Sequence, residues 1–160
     1  MKPWPVTAAV RVLRAAAVPF EGFTYDYVER GGTRASAAAL GVDEHRIVKT
    51  LLFEDDRKQP FLVLMHGDRQ VSAKGLARHL GVTSVSPCAP AVGERHSGYR
   101  VGGTSPLGTR RRMNVYVERS VLALPEVFVN GGKRGFLVRL DPRELQRLLA
   151  AEPVDVAVAG

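Results

Sequence analysis

The sequence predicts one mixed α/β (α+β) domain spanning residues 1–160. Three observations carry that expectation. Apolar, β-branched runs of strand length occupy residues 47–53 and 61–66. Capped stretches with helical spacing lie before, between and after them. A chain of 160 residues with 45% hydrophobic content is long enough for one apolar core.

Taken in order, Thr7 is placed to cap a first helix that turns Val10, Leu13 and Ala17 to one face and is closed by Pro19. Residues 23–27 alternate like a strand, residues 30–34 with two glycines read as a loop, and residues 36–40 form a short Ala-rich helix ended by Gly41. Asp43 is placed to cap the next turn. The run 47–53 is assigned mostly to a strand with a start that could be helical, and Asp55-Asp56-Arg57 turns the chain into the strand 61–66. After the turn at Gly67-Asp68, Ser72 is set to cap a helix carrying Leu76 and Leu80 before Gly81. Residues 83–86 read as a short strand and 89–96 as a helix with Val92 inward. Two glycine loops follow, 98–108 and 130–135, with strands at 114–118, 127–129 and 136–140 around them. Asp141-Pro142-Arg143-Glu144 supplies an N-cap, an N1 proline and an N3 glutamate for a last helix burying Leu145, Leu148 and Leu149. Residues after Glu152 are expected to fray.

Composition narrows the function classes. The N-terminal stretch Met1 to Val6 has no apolar run of the length a secretion signal or membrane span needs, so a soluble, cytoplasmic protein is expected. One cysteine, Cys88, excludes an internal disulfide, and no Cys/His spacing resembles a metal site. The net charge is +7, and 18 of the 23 basic residues are arginine, which suits bidentate contact with phosphate oxygens. A GC-rich genome gives the same bias. With 7% aromatic residues and no RNA-binding signature, a platform stacking many bases is disfavoured.

Lys49 is the first candidate for chemistry, because it interrupts the apolar run around it and a lysine is costly to bury unpaired. Facing a cleft, its ammonium could hold a phosphate or stabilise charge developing on an ester carbonyl. On a strand edge, with its stem over the core and its head in water, it is only structural. Gly102-Gly103-Thr104-Ser105-Pro106-Leu107-Gly108 combines flexible glycines with a rigid proline and is either an anion cradle or a structural turn. Thr109 stands where a Walker A loop needs lysine, which disfavours a nucleoside triphosphatase. Arg110, Arg111 and Arg112 after this loop, with Lys133 and Arg134 in the second, would surround one opening if the loops meet; otherwise they are solvated turns. Cys88 beside Pro87 reads as an inert thiol. The serines lack a nucleophile elbow, and His45, His66, His79 and His96 read as surface or structural. Ester hydrolysis would then depend on water or on a group of the substrate.

Three segments, Val48-Lys49-Thr50-Leu51-Leu52, then Ser97-Gly98-Tyr99-Arg100-Val101 running into the Gly102 to Gly108 loop, then Gly131-Gly132-Lys133-Arg134-Gly135, resemble successive signatures of the YbaK/EbsC family of trans-acting deacylases. The resemblance extends over about residues 7–149. It implies a YbaK-like fold, a barrel-like mixed β-sheet flanked by helices, related to the editing domain of bacterial prolyl-tRNA synthetases. It also implies hydrolysis of mischarged Cys-tRNA(Pro), with Cys-tRNA(Cys) as a second substrate, without metal or organic cofactor.

By the same resemblance Lys49 is the essential lysine, and Gly103, Pro106 and Gly108 shape the pocket for the ester on the terminal adenosine. Gly102, Thr104, Ser105, Asn130, Gly131 and Gly132 line it, with Tyr25 as a pocket-side tyrosine and Thr50 as the threonine after the lysine. The substrate's own thiol would attack the ester carbonyl and leave as a thiolactone, a lyase-type cyclisation. The acceptor end of aminoacyl-tRNA and prolyl-tRNA synthetase are the implied partners. Asn130 and Leu137 depart from the cysteine-specific pattern, where serine and aspartate are usual. That leaves open a pocket for alanine or serine, or a binding module without turnover. Lys49 facing the Gly102 to Gly108 loop would favour catalysis, and Lys49 directed away would favour the binding module.

Overall fold

The computed structural model describes residues 4–160, so the Met1 to Pro3 part of the N-terminal stretch lies outside the described residues. The elements run α1 (Ala8–Ala15), β1 (Glu21–Thr24), α2 (Gly32–Leu40), a 3₁₀ turn (Glu44–Arg46), β2 (Ile47–Asp55), β3 (Pro60–His66) and β4 (Arg69–Val71). Next come α3 (Ala73–Leu80), β5 (Val85–Pro87), α4 (Pro90–Ser97), β6 (Asn114–Glu118) and a second 3₁₀ turn (Arg119–Ala123). The chain ends with β7 (Val127–Lys133), β8 (Phe136–Leu140), α5 (Pro142–Leu149), β9 (Glu152–Val154) and β10 (Ala157–Ala159). Eight strands form one sheet in the order β1-β8-β7-β2-β3-β6-β9, with β5 added on β2, and β10 pairs separately with β4. The sheet is mixed: β2–β7, β3–β6 and β6–β9 are parallel, the other pairs antiparallel.

The uninterrupted apolar run of β3 has a direct cause, since every residue of that strand is buried and both faces are covered. Leu62 and Leu64 join Val48, Val115, Val117 and Val129, with Leu13 of α1 and Leu145 of α5 packed over them. Phe61, Val63 and Met65 point the other way, against Leu76 of α3 and Val154 and Val156 near the C-terminus. A smaller cluster of Ala37, Ile47, Phe128 and Leu137 seats α2 on the sheet. Each large aliphatic side chain so buried stabilises the fold by about 1.5–3 kcal/mol.

The predicted caps are made. Thr7 Oγ1 accepts from the Val10 N–H, Ser72 Oγ from Gly75, and the Asp141 carboxylate from Arg143 with Pro142 at the first helical position. Several boundaries move. The first strand is Glu21–Thr24 rather than 23–27, fixed by its ladder to β8. α2 begins at Gly32, inside the expected 30–34 loop, because Thr33 holds its first turn through a 2.7 Å hydrogen bond to Glu44. Ala17 is exposed at φ 55, past the end of α1, and Val18 takes the buried place. In α4 the buried positions are Gly93 and Ser97, with Val92 only half-buried. β7 carries its ladder through to Lys133 with an irregularity after Asn130, so the expected 130–135 loop is largely strand.

The tail does not fray. Val154 and Val156 are 1% and 4% exposed, Val156 N–H donates to the Glu118 carboxylate, and its carbonyl accepts from the Ser72 N–H. β9 extends the main sheet and β10 pairs with β4, a strand not anticipated from the sequence.

Candidate functional site

β2 creates the cleft by changing neighbours. One edge pairs with β3 continuously from Val48 to Glu54. The other pairs with β7 at Ile47 and Val48 and with β5 from Phe53 onward, so between them no strand covers residues 49–52. The Cys88 N–H donates to the Leu52 carbonyl in this gap. The opening is a cleft of about 630 Å³ lined by residues 47–52 of β2, the N-terminal part of α2, the start of α4, Val101, Gly102 and Thr104, and Asn130 and Arg134. That volume matches ordinary small-ligand sites.

Lys49 lines this cleft half-buried, together with Gly102 and Thr104. Its ammonium does not turn to that loop, however: Nζ donates to the Arg69 carbonyl at 2.5 Å. Burial lowers its pKa from the usual lysine range, against the opposing charges of Glu44 and Asp68. Thr50 beside it has a buried Oγ1 with no hydrogen-bond partner among the described residues. Tyr25 stands at the wall, its N–H bonded to the Gly135 carbonyl; burial raises its phenol pKa, offset in part by a hydrogen bond with Ser36.

The two glycine loops meet. A side chain on Gly103 would come within 2.8 Å of the Arg134 backbone nitrogen, and one on Gly102, at φ +87, would strike the Tyr27 hydroxyl. Asn130 ties them together: its Nδ2 donates to the Gly102 carbonyl at 3.1 Å while Oδ1 accepts from the Gly132 and Lys133 N–H groups. Arg134 is also a strut, donating to the Val101 carbonyl at 2.8 Å with its guanidinium over the Tyr27 ring. Of the expected site residues, Lys49, Tyr25, Thr50, Gly102, Thr104, Asn130 and Arg134 therefore share the cleft wall. Gly103, Ser105 and Pro106 are buried behind it, Ser105 Oγ accepting from the Leu107 N–H. Gly108 packs on Ala8, Gly131 on Phe136 and Gly132 near Tyr99.

Arg110, Arg111 and Arg112 are exposed and sit off the cleft wall, where Arg110 and Arg111 N–H groups cap the carbonyls of Ser97 and His96 at the end of α4. Lys133 is exposed as well. Sequence reading missed Ser36, Gly93, Glu94 and the wall position of Cys88, none of which carries a local signature. Burial and the neighbouring Glu54 push the Cys88 thiol up to about 11, leaving it protonated at neutral pH and a poor nucleophile.

His45, His66 and Asp68 bring one ligand-type atom each within 4.8 Å. The two rings are parallel, 3.7 Å apart, so their in-plane lone pairs do not converge, and both nitrogens of His66 are engaged by the His45 carbonyl and Ser120. The set is built as a hydrogen-bonded network rather than a metal cage.

The fold is shared with a solved structure, and the family follows from the sequence. The chain superposes, with a TM-score of 0.82, on the crystal structure of a proposed trans-editing enzyme for prolyl-tRNA synthetase, at 24% identity, covering 98% of this chain and all of that one. The chain belongs to the aminoacyl-tRNA editing domain family, whose model matches residues 31–148. It is 27% identical over 143 residues, 89% of this chain and 87% of the other, to the provisionally named Cys-tRNA(Pro)/Cys-tRNA(Cys) deacylase EbsC of Enterococcus faecalis. It is also 31% identical over 100 residues to the proline–tRNA ligase of Streptococcus equi subsp. equi, matching 62% of this chain and 16% of that enzyme. Among the described residues, no helix is long and apolar enough to cross a membrane.

Proposed function

We propose that the chain is a trans-acting deacylase that cleaves the ester of mischarged Cys-tRNA(Pro), and of Cys-tRNA(Cys), in the cleft beside Lys49. The observation that carries this reading is the uncovered stretch of β2, whose main chain from Lys49 to Leu52 borders a cleft of ligand size lined by Lys49 and Thr50. Main-chain groups and an ammonium are suited to hold an ester carbonyl and the negative charge that develops on it. The one wall thiol, Cys88, stays protonated and is a poor nucleophile. Of the remaining attackers, water or a group of the substrate, the reading takes that of the cysteinyl substrate. Its thiol sulfur bonds to the ester carbonyl carbon, the bond to the ribose oxygen breaks, and the thiol proton ends on that oxygen, releasing tRNA and a thiolactone.

Exposed Arg110, Arg111 and Arg112, near Arg95 and Arg100, have no carboxylate within ion-pair distance among the described residues and are proposed to dock the phosphates of the acceptor end. Prolyl-tRNA synthetase is the proposed partner for tRNA selection. A second reading is favoured by one observation: the Lys49 ammonium is bonded to Arg69 rather than turned to the glycine loop, as suits a binding module. A third follows from Leu137, 4% exposed, which makes one wall apolar and suits alanine.

Purified protein and Lys49→Ala are incubated with Cys-, Ala- and Pro-tRNA(Pro), and loss of each ester is followed. Selective, lysine-dependent loss of the cysteinyl ester is expected. Preferential loss of the alanyl ester moves the substrate, and no hydrolysis with the synthetase present leaves the binding module.

A further inference from the structure

The group that receives Lys49 lies 20 residues further along the chain. The turn between β3 and β4 ends at Asp68, and Arg69 opens β4, its carbonyl accepting from the Lys49 ammonium. An ammonium has three N–H bonds, so this contact leaves two for a ligand. Asp68 itself is held twice, by His45 Nδ1 at 2.8 Å and by the Arg69 guanidinium at 3.0 Å. His45 is in turn stacked on His66, which is 1% exposed. The Nδ1 of His66 faces the His45 carbonyl and therefore carries the proton, while Nε2 accepts from the Ser120 hydroxyl. Ser120, whose single proton is given to His66, lies 3.4 Å from Glu118, which accepts from the Val156 N–H. Hydrogen bonds thus link exposed Ser120 through buried His66 and the His45 backbone to Asp68, the neighbour of Arg69.

We propose that Asp68 is a positioning residue for Lys49, fixing the neighbouring Arg69 whose carbonyl anchors the ammonium and supplying negative charge near it, with His45 holding that carboxylate in place. The inference rests on the deacylase reading only for its effect on rate. Glu44 and Asp68 are the acidic groups whose charges oppose the effect of burial on Lys49; His45 and Arg69 contact Asp68, His66 is stacked on His45, and Tyr25, Glu29, Arg30, Cys88, Glu94 and Arg134 stand on the cleft wall. Glu44 is the stronger of these two influences and is engaged by the Thr33 hydroxyl at 2.7 Å, while Asp68 is the one that bonds Arg69, whose carbonyl holds the ammonium. Burial by itself would raise the Asp68 carboxyl, but the hydrogen bond from His45 and the charges of His45 and Arg69 hold it below the usual range. It therefore remains anionic wherever Lys49 is titrated.

The test follows the Lys49 side chain by NMR in the free, full-length protein with labelled lysine, its signal identified by loss in Lys49→Arg. Removing the carboxylate charge in Asp68→Asn should lower the Lys49 titration midpoint by about one pH unit, and Asp68→Glu should restore most of it. In deacylation the same Asp68→Asn change should reduce kcat roughly tenfold with KM unchanged, since 1.36 kcal/mol is one such factor. The alkaline arm of the kcat profile should move to lower pH in step. An unmoved Lys49 midpoint in a folded Asp68→Asn overturns the proposal. Should that variant fail to fold, the wild-type Lys49 signal must still respond as pH falls through the Asp68 titration below about 4, and a flat signal there is equally decisive. A wild-type protein that hydrolyses no ester sinks the deacylase reading but leaves the Lys49 titration to decide this one.

Discussion

Arginines in two regions of the molecule are used in opposite ways. Around α5 and its neighbouring strands, Arg139, Arg143 and Arg147 are matched to Glu21, Glu126, Asp141 and Glu144. Around the end of α4 and the loop beyond it, Arg95, Arg100, Arg110, Arg111 and Arg112 have no such partners among the described residues, and this is the region that flanks the cleft. A charge already paired at the surface adds little to stability and little to an outside ligand. Unpaired charges of one sign cost self-repulsion, and together they attract a polyanion. The difference teaches that a net charge of +7 is uninformative until its members are sorted by whether they already have a partner.

The largest effect should separate the cleft from everything else. Lys49→Ala is expected to lower the single-turnover deacylation rate by about 10²–10³-fold, the size seen on losing an oxyanion donor, with the thermal midpoint nearly unchanged; equal loss in Arg139→Ala would break the contrast. Next in size, replacing Arg110, Arg111 and Arg112 together by alanine should weaken tRNA binding roughly tenfold at 0.1 M salt and reduce the slope of log K against log salt by about 2. Arg143→Ala with Arg147→Ala should leave both quantities as they are. Acid titration sharpens the comparison further. Burial lowers the His66 pKa below 6.5, so the unfolded chain takes up that proton first, and stability falls as pH drops below 6.5 until the folded value is reached. Asp141, lowered by Arg143, gives stability that is full above 3.8 and is lost as pH falls through its folded value. Urea midpoints measured from pH 7 to 2 in wild type, His66→Gln and Asp141→Asn should lose the upper and lower step respectively. Smallest of all, Asp141→Ala should cost about 1 kcal/mol through the lost helix cap, with no change in deacylation.

Much of this was legible in the sequence where the cause is local. Ser72, Thr7 and Asp141 cap helices through residues three or fewer positions away, and Lys49 shows itself by interrupting an apolar run. The first glycine loop was legible as a loop, whereas the second is largely strand β7, and their meeting rests on Gly103 against Arg134, which spacing alone does not reveal. What escaped was non-local. β4 has only three residues and becomes a strand because β10 arrives beside it from the far end of the chain. The alternation of Val154, Val156 and Val158 was present, but its partners at β6 and β4 were not visible from within it. The likeness of Asp68 and His45 to ordinary turn residues concealed them in the same way, since only folding brings the two together and sets Lys49 against the neighbouring Arg69.

The gap in β2 has a consequence for how such a site changes over generations. Its floor is partly main chain, contributed by residues 49–52 regardless of which side chains they carry. Substitution can therefore redraw the walls, at Asn130 or Leu137, without erasing the main-chain groups proposed to face an ester. Selectivity is free to drift from one small acyl group to another while the capacity to hold the reacting bond is inherited with the strand itself.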